Sequence, residues 1–157
     1  MCTDTKKILL RILETKSSGR ETLFNQLFTE AIRHIIPNTL VHKTHGDTFS
    51  QGLPDLLLFP PDLPIIGIET KVDFVSNTSL FTIERIARSL RPSQRKLLLH
   101  DARHTENLFV VTATQKGLIV LAPSEFPAPP FDLKAKTKLP RNSIHTVQSF
   151  CKRISST

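Results

Sequence analysis

Two apolar runs of this chain adjoin charged residues whose types suit the hydrolysis of phosphodiester bonds. Pro54 and Asp55 lead into the run 56–59, and Glu69 and Lys71 lie at the end of the next apolar run. Charged side chains beside buried strands usually have a function. One or two carboxylates hold Mg²⁺ while several of its waters stay in place, and a lysine stabilises charge in the transition state. These residue types therefore predict a centre built from a metal and a lysine.

The two-residue period of a β-strand places the second pair of charges on one face. In the run 66–72, Ile66, Ile68 and Val72 occupy alternate positions and would be buried together. Glu69 and Lys71 would then share the opposite face.

A short connection between the two runs predicts that they pair. Pro54 fixes φ and donates no ladder hydrogen bond, which suits the first residue of a strand or a bulge. The proline-rich connection 60–64 is short enough to favour an antiparallel hairpin. Such a hairpin would bring Asp55 beside Glu69.

These motifs resemble those of the PD-(D/E)XK nucleases, which share a restriction-endonuclease-like fold. Pro54-Asp55 and Glu69-Thr70-Lys71 carry the resemblance, which runs from about Arg20 to about Leu121. The leading helix, the turn at 52–55 and Pro92-Ser93-Gln94 are most similar to the VRR-NUC branch and to Holliday-junction resolvases. The resemblance implies a DNA endonuclease that uses Mg²⁺, with Mn²⁺ as a substitute, and a homodimer would suit two cuts at a symmetric junction.

The resemblance also implies roles for individual residues. Asp55 and Glu69 would be metal ligands, and the carbonyl of Thr70 would supply another. Lys71 would orient the attacking water or hold transition-state charge. Gln94, from a later helix, would reach the site and contact water, phosphate or Lys71; alternatively, it is an exposed glutamine near a helix terminus.

A third carboxylate is expected from the long helix, where two residues compete. At ~100° per residue, Glu21 lies within about 70° of the centre of the apolar stripe, whereas Glu30 is more than ~100° away on the other side. We therefore expect Glu21 as a catalytic residue and metal ligand. The alternative is that Glu21 only favours the positive end of its helix and Glu30 is a solvated charge.

Charge and composition indicate an anionic partner. The 157 residues carry 21 Lys and Arg against 14 Asp and Glu, a net charge of +7, which favours DNA or RNA. With no Trp or Tyr, recognition of RNA by stacking is the weaker alternative. His45, Arg91, Arg95 and Lys96 are the candidate nucleic-acid contacts, although charge runs are more often solvated faces.

The same sequence argues against membrane insertion and disulfides. No apolar run approaches the ~20 residues of a spanning helix, and no signal-peptide pattern opens the chain, so we expect an intracellular, soluble protein. Cys2 and Cys151 form no metal-binding or disulfide pattern.

The order of predicted elements favours an α/β fold, with a small mixed central β-sheet flanked by helices. The resemblance implies that this is a restriction-endonuclease-like core. Helices are predicted over 3–16, 20–36, 79–90 and from 92 or 93 onward, and strands over 39–43, 56–59, 66–72, 108–113 and 118–121. Residues 1–122 would form the nuclease core with its leading helices. Residues 123–157, basic and proline-rich, would be an appendage packed on the same domain, with a last helix near 143–154.

Three functional hypotheses follow. The first is an Mg²⁺-dependent deoxyribonuclease acting on branched or junction DNA. The second is a site-specific restriction-type endonuclease, although the chain offers no evident base-reading domain. The third is a catalytically silent nucleic-acid-binding module on the same fold, against which the intact Asp55, Glu69 and Lys71 argue.

Overall fold

The computed structural model describes residues 2–44, 54–74, 81–92, 94–95, 107–127 and 132–156. Within these residues the fold is α/β, with four α-helices and one mixed sheet of six strands. In chain order the elements are α1 (Thr5–Leu13), α2 (Arg20–Ile35), β1 (Leu40–Lys43), β2 (Leu56–Phe59), β3 (Ile66–Val72), α3 (Ile83–Ser89), β4 (Leu108–Thr114), β5 (Gly117–Leu121), β6 (Ile144–His145) and α4 (Val147–Ser155).

The sheet follows sequence order, from β1 at one edge to β6 at the other. The predicted hairpin is confirmed: β2 and β3 are antiparallel, with Leu56 opposite Ile68. The predicted mixed character of the sheet is also confirmed, since β3 and β4 run parallel with Glu69 beside Val110. Helix α3 lies in the connection between them, as parallel pairing requires.

The two faces of the sheet are covered by different helices. One face packs on α1, α2 and α4, around fully buried rings that include Phe24 and Phe28, stacked with centroids 5.2 Å apart. Burial of each such ring contributes roughly 2–3 kcal/mol. The other face packs on α3 through Ile83, Ile86 and Ala87. Glu69 and Lys71 therefore lie on a strand that is covered from both sides.

One glycine allows two chain segments to approach closely at the start of β3. A Cβ placed on Gly67 would come within 2.9 Å of the Pro54 ring and 2.9 Å of Leu108 Cδ1. Real Cβ atoms do not approach other atoms this closely, so any side chain here would displace a neighbour. Gly67 thus lets Pro54, and with it Asp55, lie against β3.

Helix boundaries agree with the predictions where local signals are strong. Helix α2 ends at Ile35, just ahead of Pro37. The described part of the predicted helix 79–90 is α3, capped by the Thr82 side chain, which accepts a hydrogen bond from the Arg85 amide. This helix ends at Ser89 because Leu90 is already extended and Arg91 precedes proline.

The last predicted helix begins later than expected. Ile144 and His145 form β6 and pair with β5, so the prediction of a helix from 143 was wrong at its start. Thr146 then caps α4 by accepting a hydrogen bond from the Ser149 amide. Because β6 completes the sheet and Phe150 of α4 is fully buried, the C-terminal segment contributes directly to the core.

Among the described residues, no helix combines the length and apolar character that crossing a membrane requires.

Candidate metal centre

Three acidic side chains from separate elements converge beside the interior strands β2 and β3 of the sheet. Glu21 comes from the first turn of α2, Asp55 from the residue before β2, and Glu69 from the middle of β3. Each offers a carboxylate oxygen, and these oxygens all lie within 4.8 Å of one another. Within the described residues, this is the group of acidic, histidine and cysteine side chains that could hold a metal ion.

The backbone amide of Thr70 holds the Asp55 side chain in place. The Thr70 amide donates to Asp55 Oδ2 at 3.0 Å, and the Thr70 hydroxyl lies 3.2 Å from the same oxygen. Behind Asp55, the Thr44 amide donates to its carbonyl at 3.0 Å, and the Thr44 hydroxyl donates to the carbonyl of Pro54. Asp55 is therefore fixed from both its side chain and its backbone.

Asn25 is a residue that the sequence analysis missed. It is 4% exposed and lies one turn after Glu21 on α2, where its Oδ1 accepts a hydrogen bond from the Thr70 hydroxyl. Asn25 thereby ties the helix that carries Glu21 to the strand that carries Glu69. Its only sequence signal is a polar side chain inside the apolar stripe of α2.

Glu69 is held by Gln94 and lies close to Lys71. Gln94 Nε2 donates to Glu69 Oε2 at 2.5 Å, and Gln94 Oε1 accepts from the Arg91 amide at 3.3 Å. No hydrogen-bond donor of the described residues reaches the buried Glu69 Oε1. A buried oxygen in this state is costly unless a cation or a proton compensates for it.

Lys71 joins the strand carboxylate to the helix carboxylate. Its Nζ lies 3.6 Å from Glu69 Oε1 and 3.9 Å from Glu21 Oε1. The lysine side chain is 17% exposed, so it lies close to the acids while part of it still contacts solvent.

Burial and crowding raise the pKa of two of these acids, Glu69 and Glu21. Burial raises the pKa of Glu69 from 4.5 to about 9, and the adjacent Asp55 adds to the shift by charge repulsion and a hydrogen bond, while Lys71 and Arg91 oppose it. Burial also raises the pKa of Glu21, with Lys71 again acting in the opposite direction. Carboxylic acids held together and out of water cannot all ionise without a compensating cation.

The structure brings together some of the predicted site residues and not others. Glu21, Asp55, Glu69, Lys71 and Gln94 form one connected group. Thr70 joins this group through its amide and hydroxyl, and the metal-binding role of its carbonyl stays a prediction.

Other predicted residues lie apart or have different contacts. Glu30 accepts a hydrogen bond from the Gln26 side chain at 3.4 Å, well along α2 from its start. Arg91 is exposed near the acids, whereas the Arg95 guanidinium donates to two carbonyls at the end of α3. His45 and Lys96 lie outside the described residues.

No model of a protein family and no curated protein matches this sequence. The resemblance to PD-(D/E)XK nucleases therefore depends on the sequence motifs.

Proposed function

We propose that this protein is an Mg²⁺-dependent DNA endonuclease with a restriction-endonuclease-like core, of the PD-(D/E)XK type and most similar to its VRR-NUC branch. The observation that carries the proposal is the convergence of Glu21, Asp55 and Glu69 beside Lys71. The mixed α/β sheet is compatible with such a core. A purely structural role explains the arrangement poorly, because three acids in one partly buried cluster repel one another.

The chemistry of the donor set fits a hard divalent cation. Mg²⁺ prefers oxygen ligands and is usually held by one or two carboxylates with waters completing its shell. Glu69 Oε1 is buried and lacks a hydrogen-bond donor within the described residues, and Asp55 is already oriented by Thr70. Asp55, Glu69 and Glu21 would hold the ion, which when bound supplies Lewis acidity and a water of lowered pKa.

The remaining side chains would position the reactants. Lys71, between Glu69 and Glu21, would orient the attacking water or stabilise negative charge on the phosphate. Gln94 would hold Glu69 in a fixed orientation through its 2.5 Å hydrogen bond. Both roles depend on preorganisation, since the groups are in place before a substrate binds.

The net charge of +7 supports a nucleic acid as substrate. Branched or junction DNA is proposed as the preferred form and a homodimer as the active species, because two symmetric cuts need two sites related by a two-fold axis. A restriction-type endonuclease that recognises a short DNA sequence is a second activity that the same metal centre would support.

A cleavage assay on a panel of DNA structures tests the proposal. Labelled duplex, flap, single-stranded and four-way-junction DNA would be incubated with the protein in Mg²⁺, Mn²⁺ or EDTA. The wild type would be compared with Asp55→Ala, Lys71→Ala and Glu21→Gln, and Glu30→Gln serves as the matched control on the same helix.

Metal-dependent cleavage that is lost with Asp55→Ala and Lys71→Ala and kept with Glu30→Gln is the expected result. Glu21→Gln should raise the Mg²⁺ concentration needed for half-maximal activity. Salt-sensitive DNA binding without cleavage of any substrate would contradict the nuclease and favour a binding module. Equal activity in EDTA would exclude a metal centre.

A further inference from the structure

A run of cations near the C-terminus is held in an ordered position on the protein surface. Residues 132–141, here called the basic strap, contain the cations Lys134, Lys136, Lys138 and Arg141 and the single acid Asp132. All four cations are exposed. In the part of the chain that the structure describes, none of the three lysines pairs with an acid, unlike Arg85 and Arg153, which bind Asp73 and Glu125.

A buried carboxylate on α3 fixes the strap. Glu84 is 1% exposed, and its carboxylate accepts hydrogen bonds from the Thr137 amide at 2.8 Å and from the Thr137 hydroxyl. These bonds lower the pKa of Glu84 although burial alone would raise it. One residue further on, Lys138 forms a β-bridge with Thr82 at the start of α3.

Apolar residues attach the strap to the protein on either side of the contact between Glu84 and Thr137. Leu133 and Leu139 pack against the core cluster beneath α3. The Arg88 guanidinium, in the last turn of α3, donates to the Leu133 carbonyl at 2.9 Å. The strap therefore runs antiparallel to α3, with its leucines facing the protein and its lysines facing solvent.

One end of the strap lies beside the segment that leads to the candidate metal centre. Its Leu133 end meets the C-terminal turn of α3, and the chain continues from that turn to Arg91 and Gln94. Gln94 binds Glu69 directly, and the positive charge of Arg91 acts on both Glu69 and Glu21. A row of exposed cations thus extends along α3 to the edge of the site.

We infer that the basic strap is a docking surface for the phosphate backbone of duplex DNA that is delivered to the metal centre. The inference rests on the proposed function, since it names the surface by which the same site receives its substrate. Lysines act as point charges toward phosphates and carry no base-reading geometry, and the strap has no aromatic side chain for stacking on unpaired bases. A membrane surface is disfavoured because the strap's leucines face inward, whereas membrane binding needs an exposed apolar face.

The salt dependence of DNA binding tests the inference. The variant Lys134→Gln/Lys136→Gln/Lys138→Gln removes three charges from the strap. A control with the same change of net charge, Lys6→Gln/Lys7→Gln/Lys16→Gln, alters exposed lysines on or beside α1, which packs on the other face of the sheet. Binding of labelled duplex DNA would be measured in EDTA by fluorescence anisotropy, over a series of salt concentrations.

The strap variant should bind more weakly and with a shallower salt dependence. Each lost phosphate contact lowers the slope of log K against log salt by about 0.9, so three contacts would lower it by about 2–3. The α1 control should keep most of the wild-type slope. Cleavage at saturating DNA should be unchanged in the strap variant, so the change falls on KM and not on kcat.

Release of the strap without loss of its lysines provides a second test. Glu84→Ala removes the hydrogen bonds between Glu84 and Thr137 and makes the net charge more positive by one. If net charge alone governs DNA binding, this variant should bind more tightly. If an ordered docking surface is needed, it should bind more weakly. Thr137→Ala removes the hydroxyl contact with no change of charge and is the milder variant. Circular dichroism would verify that both variants fold.

Each outcome bears on one proposal at a time. Suppose that the wild type cleaves DNA and that the strap variant keeps the wild-type slope of log K against log salt. This result would refute the docking role of the strap and leave the nuclease proposal unaffected. Binding that the strap variant loses, with no cleavage by the wild type, would support the strap and overturn the nuclease. Equal losses in the strap variant and the α1 control, or strap-dependent binding to anionic phospholipid vesicles in preference to DNA, would overturn the DNA-docking role.

Discussion

Replacement of Glu69 by glutamine should make the metal-free protein more stable in alkaline solution than the wild type. Glu69 is 1% exposed, and its pKa is raised to about 9 by burial and by the adjacent Asp55. At neutral pH the folded protein therefore holds a proton on this acid, whereas the unfolded chain, with an ordinary pKa of 4.5, does not. Glutamine has nearly the shape of the protonated acid and never ionises, so it avoids the unfavourable charge.

Proton linkage fixes the sign and the size of this pH dependence of stability. Between pH 4.5 and about 9 the folded state binds about one proton more than the unfolded state at Glu69, so the free energy of unfolding falls as pH rises. The slope is about 1.4 kcal/mol per pH unit, a tenfold change in the folding equilibrium. This contribution is fully present below pH 4.5, is lost progressively above it, and is absent from Glu69→Gln.

Urea unfolding at pH 6, 7 and 8 in EDTA measures the effect. Since the chain has no Trp and no Tyr, far-UV circular dichroism is a better probe than intrinsic fluorescence. All other titratable groups are common to both proteins, so the difference between the two curves isolates Glu69. That difference should grow in favour of Glu69→Gln by roughly 3 kcal/mol from pH 6 to pH 8, while Glu30→Gln should follow the wild type.

Two results would refute this reasoning. A difference that stays constant over the pH range would mean that Glu69 is ionised throughout. Calorimetry of Mg²⁺ binding to the wild type at pH 7.5, in buffers of different ionisation enthalpy, should report about one proton released per ion, because ligands must be deprotonated to bind metal. No proton release accompanying tight binding would likewise show that Glu69 is already charged.

Further predictions concern the supports of the site. Gly67→Ala should push the Pro54 ring away from β3, because the added Cβ would lie 2.9 Å from that ring, and it should weaken Mg²⁺ binding with little change in helix content. Asn25→Ala removes the acceptor of the Thr70 hydroxyl. It should weaken Mg²⁺ binding about tenfold, as loss of a residue that supports the metal ligands from outside typically does. Asn25→Asp should restore part of the lost Mg²⁺ affinity, and isothermal titration calorimetry measures both variants. Phe150→Ala should destabilise the whole domain by about 3–5 kcal/mol in a single urea transition, because this ring is fully buried; a separate C-terminal transition would contradict that.

Local patterns were enough to predict the strand segments of the site. The alternation of Ile66, Ile68 and Val72 correctly placed Glu69 and Lys71 together, since a strand has a strict period of two. The short connection after β2 correctly predicted the hairpin. These features depend on near neighbours in sequence, where periodicity and proline geometry act directly.

Features formed by distant residues were not predictable in the same way. Asn25 and Thr70 meet across 45 positions of sequence, and a single polar residue in an apolar stripe does not indicate its partner. The strand β6 has only two residues, too few for any periodic signal, and was assigned to a helix. The burial of Glu69 Oε1 likewise results from tertiary packing and not from its own segment.

The unfavourable burial of Glu69 and the proposed function are consequences of the same packing. Covering β3 from both sides removes water from the Glu69 carboxylate and raises its pKa, which lowers stability as pH rises. The same loss of water strengthens every electrostatic interaction of that carboxylate, including its attraction to a divalent cation. A metal that binds only the folded state would reverse the destabilisation by mass action. The metal-free fold should be weakest at alkaline pH, and Mg²⁺ should therefore stabilise it most under those conditions. Both effects should be smaller in Glu69→Gln, which keeps only Asp55 and Glu21 of the three acids.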